Sequence, residues 1–65
     1  MKITDKARMH LDTAELLMQG MKESIKYNDE EPGTPPPEHS AESIKRRCVQ
    51  IRQELLMVEQ GISAY

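Results

Sequence analysis

From Thr4 to Tyr27 apolar and small residues return at alternating steps of three and four: Thr4, Ala7, Leu11, Ala14, Met18, Met21 and Ile25. That spacing is the signature of a helix laid along a partner helix, and it predicts a helix over about residues 5–27. At about 100° per residue a second row, His10, Thr13, Leu17, Gly20, Ser24 and Tyr27, lies well round the same cylinder, with Met9 and Leu16 beside it. Arg8, Asp12, Glu15, Lys22, Glu23 and Lys26 fill the remaining arc. Two separate faces are therefore offered for burial, one to a neighbour within the chain and one to a neighbour outside it.

Thr4 and Asp5 mark the start, a threonine able to accept from an early backbone amide and a carboxylate at the positive helix end. Gly20 costs about 1 kcal/mol relative to alanine in a helix interior. Its place in a row of small residues with Thr13 and Ser24 predicts close approach of a second helix. At Asn28 the period stops. Residues 28–39 hold all four prolines and no apolar repeat, which predicts a linker with Pro35-Pro36-Pro37 in polyproline II. Ser40 is the expected N-cap of a second helix over about residues 40–63. Its seam is Ala41, Ile44, Cys48, Ile51, Leu55, Val58, Ile62 and Tyr65, with Val49 and Leu56 about a third of a turn away.

Both helices come out near 35 Å at 1.5 Å per residue, so an antiparallel all-α hairpin follows, one helical-hairpin domain over residues 1–65. A chain of this size rarely draws more than about 3–5 kcal/mol from a single core without a staple. The lone Cys48 forbids an internal disulfide, and Cys48, His10 and His39 do not make a zinc set. No metal and no cofactor are expected. Oligomerisation remains, as a dimeric four-helix bundle or a higher oligomer. The expected interface is Met9, Thr13, Leu16, Leu17, Gly20, Ser24 and Tyr27 with Val49 and Leu56.

Nine basic against eleven acidic residues, a formal charge of −2, give no electrostatic footprint for nucleic acid or for an anionic membrane. No apolar run approaches the roughly 20 residues of a membrane span, and no signal-peptide core follows Met1, so the expected location is cytoplasmic. His10 has Asp12 and Glu15 nearby in sequence, but no nucleophile shares its face at neighbour spacing. Cys48 sits at a seam position, where cysteine behaves as a small hydrophobe. The expectation is a protein that is not an enzyme.

The basic cluster Lys45-Arg46-Arg47 with Arg52 offers one alternative. Arginines from several subunits, Arg47 and Arg52 with Lys26 and Tyr27, would converge on a phosphate-bearing ligand. Residues Gln53-Glu54-Leu55-Leu56-Met57-Val58-Glu59-Gln60-Gly61-Ile62 resemble the last helix of phage-encoded helical-hairpin proteins that sequester cyclic-nucleotide immune signals. The resemblance implies a phage or mobile-element origin and an oligomeric sponge for a nucleotide messenger. The principal expectation from the residues themselves is a small oligomeric coiled-coil regulator, inhibitor or adaptor that binds itself and another protein.

Overall fold

The computed structural model describes residues 1–64, and Tyr65, the last expected seam position, lies outside them. Helix α1 spans Asp5–Glu30 and helix α2 spans Ala41–Gln60. They run antiparallel as an all-α hairpin 52 Å long and only 16 × 13 Å across, so no second layer covers either flank of the pair.

Each helix start is capped through a side chain. Thr4 Oγ1 accepts from the Ala7 amide at 3.0 Å, and Ser40 Oγ accepts from the Ser43 amide at 3.2 Å. Helix α1 continues three residues past its expected end. The stop is Pro32: the residue before a proline is driven out of the α region, and Glu31 takes φ −107°, ψ 123°. The polar run Asn28-Asp29-Glu30 stays helical up to that point.

Helix α2 stops three residues short of the expected 63. After Gly61 the chain turns and sets β2, Ile62–Ser63, antiparallel to β1, Lys2–Ile3, pairing Lys2 with Ser63 and Ile3 with Ile62. The Thr4 amide extends this clasp by donating to the Gly61 carbonyl at 3.0 Å. A β-carbon on Gly61 would collide with Ala7 Cβ and lie 2.6 Å from Thr4 Oγ1. The absence of a side chain there is what lets the end of α2 close onto the cap of α1.

The seam is the main correction to the sequence reading. Helix α1 turns Ala7, His10, Ala14, Leu17, Met21 and Ser24 inward, and α2 answers with Ile44, Arg47, Ile51, Glu54, Val58 and Gly61. Ala7, Ala14, Ser24 and Ile51 are buried, while Leu11, Ile25, Leu55 and Ile62 stay 40–46% exposed. Relative to the expected seams, one column on each helix has moved back by one residue: Leu11 and Ile25 give way to His10 and Ser24, and Leu55 and Ile62 to Glu54 and Gly61, while Met18 and Cys48 stay half-buried at the seam's edge. Arg47 reaches to the Gly20–Ser24 side, and Cys48 donates to Met21 Sδ at 3.5 Å on the other. These two contacts fix the sense of rotation. In an antiparallel pair it leaves the displaced apolar residues, Leu11 and Ile25 with Leu55 and Ile62, on one common flank.

Gly61→Ala should therefore lower the unfolding free energy by roughly 1–3 kcal/mol, the usual range for overpacking, in urea melts followed by helical circular dichroism. A variant as stable as the wild type would show that the clasp does not close on this contact.

Candidate functional site

The densest polar arrangement lies where the linker meets the hairpin, and three elements build it. From α1 come Ser24, Tyr27 and Asn28, from α2 Ser43 and Arg47, and from the short 3₁₀ turn Pro37–His39 the Glu38 carbonyl and His39. Ser24 is fully buried. Its hydroxyl accepts from Arg47 Nη1 at 2.8 Å and stands 2.9 Å from His39 Nδ1 and 3.4 Å from the Glu38 carbonyl. The hydroxyl donates to the Glu38 carbonyl and accepts from Arg47, and the His39 ring nitrogen completes its hydrogen-bonding shell.

The same guanidinium nitrogen donates to the Gly20 carbonyl at 3.2 Å. Asn28 Nδ2 bridges the Ser24 and His39 carbonyls at 2.8 and 2.7 Å, and Ser43 Oγ donates to the Glu38 carbonyl at 3.2 Å. The His39 ring stacks on Tyr27 with centroids 4.5 Å apart. No buried side-chain nitrogen or oxygen among the described residues lacks a partner.

Serine beside histidine is a pairing used for nucleophilic catalysis, but here no substrate atom can reach the oxygen. Ser24 has no exposed surface and its hydrogen-bonding capacity is filled from within. The cluster is a structural lock that docks the end of the linker, with Pro35 and Pro36 half-buried beside it. Sequence reasoning left residues 28–39 without packed structure. His39 and Asn28 carried no periodic signal, because their partners are 15 and 11 residues away and lie across a turn.

A second polar contact pins the open end of the hairpin, where His10 Nδ1 pairs with Glu54 Oε2. Both side chains are about one-quarter exposed. His10 therefore looks across to α2, and neither Asp12 nor Glu15 is its partner. It borders a shallow cleft of about 260 Å³ with Lys6 and Met57, in which Thr4 carries the only hydroxyl and holds it on the helix cap. Among the described residues no group of three histidine, cysteine or acidic side chains is placed to hold a metal ion, and no helix is long and apolar enough to cross a membrane.

The residues expected to hold a phosphate-bearing ligand do not converge within one chain. Arg47 is half-buried and committed to Gly20 and Ser24, and Tyr27 is stacked on His39. Arg52 is exposed about 140° round α2 from Arg47, and Lys26 is exposed on α1. The expected interface divides likewise. Leu17 and Ser24 belong to the intrachain seam, Gly20 lies under the Arg47 guanidinium and Tyr27 under the His39 ring. Thr13 is exposed with its hydroxyl donating to the Met9 carbonyl. Met9, Leu16, Val49 and Leu56 remain open, Met9 and Leu16 at 67% and 69% exposure.

A β-carbon at Gly20 would meet Arg47 Cζ at 3.5 Å, an ordinary contact. Gly20→Ala should then stabilise the hairpin by about 0.5–1 kcal/mol through helix propensity, whereas Gly20→Leu should destabilise it by displacing the guanidinium. Paired thermal melts read both signs. In a double-mutant cycle, Ser24→Ala and His39→Ala should show a coupling of about 0.5–3 kcal/mol. Additive losses would mean that the linker turn is not locked through this hydroxyl.

No family model, curated protein or solved structure matches the chain. What the hairpin does is therefore read from its own geometry.

Proposed function

We propose that the hairpin is the protomer of a small homo-oligomer that acts as a regulator, inhibitor or adaptor by binding another protein, without catalysis of its own. One observation carries this reading. Among the described residues the buried apolar ones are only Ala7, Ala14 and Ile51, while Leu11, Ile25, Leu55 and Ile62 stand exposed along one flank of a molecule two helices wide. An apolar row at heptad spacing, half out of water, is what one layer of a helical bundle presents to the next. A second layer would supply the burial that a chain this short lacks. Met9 and Leu16 project elsewhere on α1 and give the assembled particle a further apolar surface for a different protein.

Light scattering at micromolar concentration should give at least twice the chain mass, and the melting temperature should rise with protein concentration by mass action. Leu55→Glu should return the protein toward the monomer, whereas Leu16→Glu should leave the mass unchanged and abolish capture of the partner protein. A monomer with a concentration-independent melt removes the reading.

A further inference from the structure

We infer that the occupant of the exposed flank is a second copy of this chain, whose α1 packs antiparallel on α1 about a two-fold axis near Met18. The inference rests on the homo-oligomer reading above and adds which helix meets which, and in what direction.

Three features of α1 carry it. The first is the apolar row Leu11, Met18 and Ile25, spaced by seven and centred on Met18, which gives the same three layers when the helix is reversed. Leu11 of one copy then stands level with Ile25 of the other, and Met18 meets Met18.

The second is the column directly outside that row, Arg8, Glu15, Lys22 and Asp29, also spaced by seven and alternating in sign. All four side chains are exposed, and none is in an ion pair or a side-chain hydrogen bond. Reversal about the centre of the helix sets Arg8 beside Asp29 of the second copy and Glu15 beside Lys22, so every flanking pair has opposite charges. With the helices parallel, equal heights carry equal signs. Charges flanking a helical seam set partner choice and direction in this way.

The third is a hollow of about 250 Å³ on the surface of α1, bordered by Glu15, Met18, Gln19 and Lys22. Positions i, i+3, i+4 and i+7 are the four corners of the hole that receives a side chain from a facing helix. This hole lies at the proposed axis, where the isologous contact of a two-fold dimer requires it to face its own image. The site is thus self-complementary in apolar layers and in charge, and the hollow leaves room for Met18 of the second copy.

Two experiments on the full chain test the pairing. In sedimentation equilibrium, Glu15→Lys and Lys22→Glu should each weaken association roughly tenfold, because each change sets two like-charge pairs at the axis. The double variant should regain wild-type affinity, since the swap restores both pairs. If α1 packed instead on α2 of the second copy, Lys22 would lie level with Lys45, and Lys22→Glu alone would tighten the dimer.

In a Cys48→Ala background that retains helical circular dichroism, Leu11→Cys and Ile25→Cys proteins are mixed and oxidised. The expected product is the mixed disulfide in excess of either homodisulfide. Dominant homodisulfides, a tightened Lys22→Glu variant or a double variant without recovery each overturn the antiparallel α1 pairing, and the oligomer itself survives if the mass stays above one chain. A monomeric wild type overturns both.

Discussion

Polar side chains set the rotation of the two helices, and the rest of the structure depends on that rotation. His10 paired with Glu54 and Arg47 bonded to Gly20 and Ser24 occupy seam positions that simple amphipathicity would give to leucine or isoleucine. Polar atoms taken out of water cost free energy unless they are paired, so once these groups lie between the helices their partners are prescribed. The small residues opposite them make the arrangement fit. Ala7 and Ala14 are buried with almost no side chain to accommodate, and the guanidinium of Arg47 lies over Gly20, where a large side chain would exclude it. The larger apolar residues are displaced to one side as a consequence.

The two ends of the hairpin are closed by different means with a common logic. At the chain termini a two-residue ladder, a glycine without room for a methyl group and the threonine cap of α1 bring residues 2–4 against residues 61–63. At the linker, one buried hydroxyl gathers an arginine from α2 and a histidine from the 3₁₀ turn, while Asn28 holds the turn's carbonyl. Both closures restrain the register of the helices, which a seam with so little apolar burial would specify weakly. Polar contacts of this kind contribute about 1 kcal/mol apiece to stability, and their larger effect is on which arrangement is adopted.

Much of the architecture was legible in the sequence because it rests on local rules. The helix caps at Thr4 and Ser40, the break imposed by the prolines and the antiparallel pairing of two helices of similar length each follow from a few neighbouring residues. Which column faces inward was not legible. Apolar periodicity defines a stripe wide enough to include both 11/18/25 and 10/17/24, and the choice between them is made by His10 with Glu54 and Ser24 with Arg47, pairs separated by 44 and 23 residues. The stop of α2 at Gly61 escaped for a similar reason. Two-residue strands leave no period to read, and the need for glycine comes from Ala7 and Thr4 at the far end of the chain. Of the interface expected from sequence, Leu17 and Ser24 failed through this same rotation. Leu11 and Ile25, read as the intrachain seam, emerged on the outside, with Met18 between them half-buried.

The rotation also bears on the proposed association. A hairpin zipped entirely by leucine and isoleucine would bury its apolar stripes internally and gain little from a second copy. By giving half of the seam to polar and small residues, this chain retains register within the hairpin and leaves Leu11, Ile25, Leu55 and Ile62 partly in water. In the proposed oligomer the side chains displaced from the seam would drive association, and a stable folded monomer is not a requirement for such a molecule. The charges beside the exposed row complete the argument. On a solvated helix surface, ion pairs at i and i+4 suffice to complement charge, and nothing there requires signs to alternate every seven residues. Alternation over four successive heptad positions, beside an apolar row of the same period, has a physical use when another helix lies along it.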